Sequence, residues 1–316
     1  MTKSGSAFVD ELDAKLIGAL EIDARLTYAD LARRLHISRK TVARRVQRLF
    51  DERIITSVTV ADPFALGYRV RAGLCVNVPP HKVEAVAQQL AAFRCIAHVI
   101  ITSGRYDIVA WGFFRGQWDM VDFISEKLGA VSDITNTETL IFLRFYKDTW
   151  AYSGYHRPIS WQDDRECPTH IDDVDLSLIR ELELEPRKSI ADIGRSLGLN
   201  RNYVYRELKR LRDEGVLKVI GLTRPSALGL NEITLFLVKV HPSRIMAVAE
   251  QSSRHPSIVH VNIVSGNFGI SMAGVFHDSK EMYVFVTEEL GKMPGVISCE
   301  SMHIAKFVKL SYSLVA

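Results

Sequence analysis

YADLARRLHISRKTVARRVQRLFD (Tyr28–Asp51) and IADIGRSLGLNRNYVYRELKRLRD (Ile190–Asp213) are the stretches whose reading decides the fold. They stand 162 residues apart, and that register holds far beyond them: Val9–Lys147 aligns with Ile171–Lys309 without a gap. Asp10/Asp172, Asp13/Asp175, Arg25/Arg187, Ala29-Asp30/Ala191-Asp192, Pro63/Pro225, Leu66-Gly67/Leu228-Gly229, His98/His260 and Gly104/Gly266 all coincide. A unit this long is not a solenoid repeat, whose period runs about 20–50 residues. The chain is a duplicated two-domain protein.

Within each stretch the apolar spacing predicts a short helix, a tight turn and a second helix. Leu31, Ala32 and Leu35 face inward on the first of these. Ser38 is placed to cap the second helix, and its counterpart Asn200 is an equally good cap. In the second copy the turn reads Gly198-Leu199-Asn200, with glycine where a positive φ is wanted. Upstream, Asp10–Ile22 carries Leu12, Leu16, Ile17 and Leu20 at the spacing of one helical face. Helix, turn, helix is the helix-turn-helix signature. Ile54–Val60 and Val216–Leu222 alternate as short strands, read as part of a β wing.

Beyond Asp62-Pro63 the period changes. Ala72–Val78, Ile96–Thr102, Tyr106–Phe114 and Ile134–Phe145 are strand-like, while Pro80–Phe93 and Gln117–Leu128 are helical. The second copy follows with strands at Glu232–Val240, Ile258–Val264, Phe268–Phe276 and Val296–Leu310 and helices at Ser243–Ser253 and Ser279–Leu290. The order βαββαβ is the ferredoxin-like arrangement, an α/β sandwich. The expected class is therefore α+β: winged helix-turn-helix domains at 8–62 and 171–224, and ferredoxin-like domains at 63–148 and 225–316. A linker at 149–170 separates the copies, with no surviving period. Its aromatics (Trp150, Tyr152, Tyr155, Trp161) suggest that it packs on a domain.

The 316 residues, 47% apolar and 24% charged, are those of an ordinary globular protein. No apolar run approaches the ~20 residues of a membrane span, and MTKSGSAFVDELD lacks a secretory core. A cytoplasmic protein with no membrane partner is expected. Cys75, Cys95, Cys167 and Cys299 form no CxxC pair and do not match between copies, so reduced, mostly buried thiols are expected rather than disulfides or a metal site. The net charge of +3 is concentrated. Arg33–Arg53 holds eight Lys/Arg against Asp51 and Glu52, and Arg195–Lys218 holds seven against three acids.

Turning about 100° per residue from Val42, Val46 and Leu49 fall on one stripe. Lys40, Arg44, Gln47 and Arg48 lie opposite, and Arg39 and Arg45 flank the stripe. A cationic and amide face of this kind suits the phosphate-lined major groove, with Ser38 at the helix end. In the second copy the matching positions are Asn200, Arg201, Asn202, Arg206, Lys209 and Arg210, with Tyr203, Tyr205 and Glu207 entering the helix. Phosphate contacts survive such changes, while base readout shifts, so the two helices are expected to prefer different half-sites of double-stranded DNA.

Asp10-Glu11-Leu12-Asp13, Leu31-Ala32, the Ser38–Asp51 helix, Asp62-Pro63-Phe64-Ala65-Leu66-Gly67, Ser103-Gly104-Arg105-Tyr106-Asp107 and Thr137-Glu138-Thr139, in that order and spacing, resemble the Lrp/AsnC family. The resemblance implies a winged helix-turn-helix joined to a ferredoxin-like sensing domain, and dimers or higher homo-oligomers whose sheets associate face to face. It also implies an amino acid or similar small polar effector. The tandem fusion departs from the family pattern, and it leaves open whether the halves pair within one chain or between chains.

The same resemblance places an effector at the hairpin Gly104, Arg105, Tyr106, Asp107. Gly104 admits a ligand close to backbone N–H groups, Arg105 suits a carboxylate and Asp107 an ammonium. Thr137 and Thr139 share one face of the last strand. The second copy, with Asn267, Phe268, Cys299 and Ser301, lacks both charges and reads as an assembly module. A plain turn closing a hairpin is the competing reading. His98 and His260 read as packed strand histidines rather than ligands. With no Ser/His/Asp set, phosphate cradle or catalytic carboxylate pair, no enzyme and no cofactor is expected. The alternative is a siroheme decarboxylase-like tetrapyrrole enzyme, which resembles this scaffold but whose loop histidine is missing here.

Overall fold

The computed structural model describes residues 9–149, 152 and 170–315. Helix α1 (Glu11–Ile22) starts in a capping box: the Asp10 carboxylate accepts from the Asp13 N–H at 2.8 Å, and Asp13 reaches back to the Asp10 N–H. Thr27 caps α2 (Tyr28–Leu35) and Ser38 caps α3 (Arg39–Asp51), the latter at 3.1 Å from the Thr41 N–H. The turn between them puts His36 in the left-handed region (φ 54°), where the second copy has Gly198 at φ 65°. Val42, Val46 and Leu49 are fully buried against Leu16, Ile17, Leu20 and Leu31, which is the stripe the periodicity predicts. In the second copy α6 (Asp173–Leu184), α7 (Ile190–Leu197) and α8 (Arg201–Asp213) repeat the arrangement around Val204, Leu208 and Leu211.

The strands read as part of a β wing are present, and their pairing joins the two copies. β1 (Ile55–Ala61) and β6 (Leu217–Thr223) pair antiparallel with each other, from Ile55 opposite Thr223 to Ala61 opposite Leu217. Each strand runs into a proline within two residues of its end, which discourages a returning strand, and backbone donors left over must find another partner. The other half supplies it. The exchange is sealed by side chains: Arg25 donates to the Pro186 and Lys188 carbonyls, each at 3.0 Å, and the Thr223 hydroxyl donates to the buried Glu21 at 2.6 Å. A Cβ on Gly221 would lie 2.4 Å from Ile55 Cδ1 and 3.0 Å from the Leu20 carbonyl. Gly221→Val is expected to cost about 1–3 kcal/mol by overpacking, measured by urea unfolding. An unchanged midpoint would show that the halves are not this tightly joined.

The remaining strands close into a barrel. The first half contributes β2 (Val70–Asn77), β3 (Ile96–Ser103), β4 (Ile108–Phe114) and β5 (Asn136–Asp148), in the order β5-β2-β4-β3. The second contributes β7 (Glu232–Val240), β8 (Ile258–Val264), β9 (Ile270–Phe276) and β10 (Val296–Leu310), in the order β10-β7-β9-β8. β5 pairs with β8 and β10 with β3, so the two ferredoxin-like sheets join through both edges within one chain. The barrel leaves no open edge, the usual remedy for unpaired strands.

Outside the barrel lie α4 (Val83–Ala92), α5 (Gln117–Asp122), α9 (Ile245–Ser253) and α10 (Ser279–Val284), with α5 and α10 running on into wider π turns. Leu74 and Val76 pack outward under α4, while Cys75 between them joins Ile100, Tyr106, Leu237 and Met302 inside. Alternate residues of one strand thus serve two cores. Cys75, Cys95 and Cys299 are free thiols, buried or half-buried, and Cys167 lies outside the described residues. Among the described residues no helix is long and apolar enough to cross a membrane. Of the linker aromatics Tyr152 is placed, its N–H donating to Glu21 at 3.2 Å; Trp150, Tyr155 and Trp161 lie outside the described residues.

Candidate nucleic-acid interface

Helix α3 presents Ser38, Arg39, Lys40, Arg44 and Gln47 to solvent. Among the described residues Arg39, Lys40 and Arg44 meet no carboxylate, while the Gln47 amide donates to Asp51 at 2.8 Å. Arg45 and Arg48 do something else. Arg45 donates to Asp10 at 2.6 Å and to Asp13 at 2.9 Å, and Arg48 to the other oxygen of Asp13. Asp13 is fully buried, so these two guanidiniums clamp α3 onto α1 rather than standing free on the outer face. The pair bonds and charge push the Arg45 guanidinium still higher, led by the bond to Asp10.

The second copy is wired differently. Arg210 donates to both oxygens of Asp175 at 2.6 Å and also to Glu207 and Glu214. It too is a clamp, which removes it from the expected contact set. Arg206 pairs with Glu207 at 3.0 Å and lies over the Tyr203 ring, and Lys209 pairs with Asp213 at 2.5 Å. Asn200, Arg201 and Asn202 are exposed, with Asn200 accepting from the Asn202 N–H at 2.8 Å. The cations of α3 are therefore available and those of α8 are partly neutralised. Sequence reasoning missed Asp13 and Asp175 as anchors. Their signal was an acid at an inward helical position in both copies.

The hairpin residues are brought together, but not as a zwitterion clamp. Asp107 accepts from the Val78 N–H at 3.0 Å and from the Asn77 amide, closing the end of β2. Arg105 crosses to the other half, pairing with Glu300 at 2.9 Å and lying over Phe268. Tyr106 is almost wholly buried and donates to Glu138. Gly104 sits at φ 134° with a Cβ position only 3.0 Å from Met302 Cγ, so it is pressed against β10. Thr137 and Thr139 lie on β5 opposite Val76 and Leu74. Arg105 is thus engaged across the two halves and Asp107 at the end of its own strand β2, so neither stands free as the zwitterion-clamp reading expects.

A cavity of about 320 Å³ opens where the barrel meets the β1/β6 pair. His98, Trp111 and His260 line it from the barrel, and Thr56, Thr223 and Arg224 from the helix-turn-helix side. His260 bonds Asp148 at 2.8 Å. Burial alone would raise the Asp148 carboxyl, but that bond and the charges of His260 and Arg71 outweigh it and hold it low. Burial pushes the His98 imidazole down to about 3, with the charges of His260 and Arg71 adding to it. Its folded value lies below the ordinary 6.5, so this contribution to stability is complete above pH 6.5 and falls as pH drops toward 3. His98→Gln is expected to flatten that acid limb in urea unfolding; an identical pH slope would show that another group governs it.

Comparison with known proteins fixes the family. Residues 9–49 match the AsnC-type helix-turn-helix domain, 171–218 a winged helix-turn-helix DNA-binding domain, and 72–152 and 234–314 the Lrp/AsnC ligand binding domain. The chain belongs to the Lrp/AsnC family. An uncharacterized HTH-type transcriptional regulator of Pyrococcus horikoshii is 32% identical over 146 residues, which is 46% of this chain and 91% of that protein. The HTH-type transcriptional regulator LrpA of the same organism is 31% identical over 140 residues, 44% of this chain and 99% of that one. Each such Lrp/AsnC relative thus corresponds to one of the two halves. The crystal structure of the siroheme decarboxylase NirDL superposes over 97% of this chain and 96% of its own, at a TM-score of 0.65 and 12% identity. That likeness is one of tandem fold. This chain is accordingly a transcriptional regulator of the Lrp/AsnC type with both of the family's domains duplicated.

Proposed function

We propose that this regulator binds double-stranded DNA with its two recognition helices supplied by one polypeptide, in place of the two chains of a homodimer. The observation that carries this reading is the antiparallel pairing of β1 with β6, which joins the two helix-turn-helix domains of a single chain. α3 contributes Ser38, Arg39, Lys40, Arg44 and Gln47, and α8 contributes Asn200, Arg201, Asn202, Arg206 and Lys209. Arg45, Arg48 and Arg210 act from behind as positioning residues. The division into 8–62, 63–148, 171–224 and 225–316, joined by a linker at 149–170, is the working domain map. A small-molecule effector sets the affinity, as the ligand binding domain in each half suggests. The place of action is the cytoplasm, with the DNA. Titration of a labelled operator fragment at several salt concentrations tests the reading. Expected is saturation at one chain per bipartite site with strong salt dependence; salt-independent or undetectable binding would end it.

The whole-chain likeness to a siroheme decarboxylase supports a second reading, a tetrapyrrole enzyme. That function gives the exposed cations of α3 no task. A Soret band shifted on mixing with an iron tetrapyrrole would favour it.

A further inference from the structure

The cavity between the barrel and the β1/β6 pair is walled mainly by apolar side chains, among them Trp111, Phe142, Ile233 and Phe307. Its polar groups divide into two sets. In the depth, Arg71 lies over the Phe113 and Phe145 rings and 3.6 Å from Asp148, which in turn holds His260; these groups satisfy one another. At the rim, Arg53 and Arg224 both line the cavity, their backbones made neighbours by the Arg224 N–H donating to the Ile54 carbonyl at 2.8 Å. Both are exposed, and among the described residues neither meets a carboxylate. Two exposed guanidiniums without a carboxylate partner at the mouth of an apolar cavity suit an anionic ligand group.

Arg53 carries a second, independent sign. It sits at φ 52°, just past the end of α3, with its N–H on the Phe50 carbonyl. The equivalent residue of the other copy is Gly215, at φ 76°. Glycine is the ordinary residue for this helix-ending position, and a branched or long side chain there is strained. Strain of this kind is compatible with a task for the side chain, although His36 holds the same conformation opposite Gly198 in a plain turn. Arg53 is one of the residues that line the apolar cavity.

We infer that this cavity is an effector pocket for a compact apolar monocarboxylate, aromatic or branched, whose carboxylate is held by Arg53 and Arg224. An amino acid fits less well. Asp148 is the one acid lining the cavity among the described residues, and it is already engaged, so an ammonium would be buried without a partner. The role as effector pocket rests on the regulator reading, because the ligand would touch both the barrel and the strands that carry the recognition helices.

The test is calorimetry on the full chain with phenylacetate, indole-3-acetate and 4-methylpentanoate, and with phenylacetamide and phenylalanine as controls. Expected is saturable binding of at least one carboxylate, with the amide and the amino acid weaker by about tenfold or more. Arg53→Gly should weaken binding by a similar factor while melting higher than the parent, so loss of fold cannot explain the loss; Arg224→Gln should weaken it alike. No saturable heat from any of the three carboxylates, or binding indifferent to both substitutions, would overturn the inference. DNA affinity measured on the same preparations separates the two proposals. Carboxylate binding without DNA binding leaves the pocket standing and removes the regulator reading; DNA binding without carboxylate binding does the reverse.

Discussion

Replacing Arg39, Lys40 and Arg44 together by alanine is expected to weaken operator binding by roughly a hundredfold or more while leaving the melting temperature nearly unchanged. All three are exposed, and none holds an ion pair among the described residues, so the fold loses little when they go. Each phosphate contact removed also makes the salt dependence shallower by close to one unit of slope. Arg44→Ala alone should cost about 1–3 kcal/mol if it reads a base. The matching set in the second copy, Arg201, Asn202 and Arg206, should matter less. Arg206 is already paired with Glu207, so part of its charge is spent inside the helix. Equal losses from the two sets would show that the internal ion pairs do not set the balance between the helices.

Asp13→Asn, and its twin Asp175→Asn, are expected to destabilise the protein by roughly 3 kcal/mol each. Asp13 is buried and receives Arg45 and Arg48 while also completing the capping box of α1; Asp175 receives Arg210 in the same way. Substitution removes the charge that draws these guanidiniums inward and leaves them facing an amide. The half-exposed arginines can turn toward water, which keeps the cost at the lower end for a broken buried pair. Urea unfolding reads the loss directly, and a change below about 1 kcal/mol would mean that the clamp is not what holds α3 to α1. Because α3 is aimed by this clamp, DNA affinity should fall along with stability, although no contact residue has been touched.

How much of this was legible in the sequence differs by physical cause. The buried stripe of Val42, Val46 and Leu49, the caps at Ser38 and Asn200, and the left-handed turn at Gly198 follow from rules that act within a few residues, and all are where the periodicity puts them. Strand partners obey no such local rule. Alternation marked Ile54–Val60 and Val216–Leu222 as strands, but it carries no information about which edge each will meet, and the wing became a bridge between halves. Barrel closure through β5–β8 and β10–β3 was hidden for the same reason.

At the candidate sites, residue type was legible and commitment was not. Arg45, Arg48 and Arg210 lie on or beside the cationic face by helical angle, yet their long side chains bend back to acids some 35 positions away. Arg105 and Asp107 have the chemistry of a ligand clamp, but a partner half and a strand end claim them first. The pocket at Arg53 and Arg224 joins residues from both copies, so no reading of one repeat would assemble it.

The most direct measurement of the central claim is selection of binding sites by the intact chain from a pool of random duplexes. Two unlike recognition helices fixed in one polypeptide should enrich a bipartite site whose halves differ, with centres about 10 base pairs apart or at a multiple of that spacing. A perfect palindrome of a single half-site, or no enrichment over the starting pool, would contradict the account.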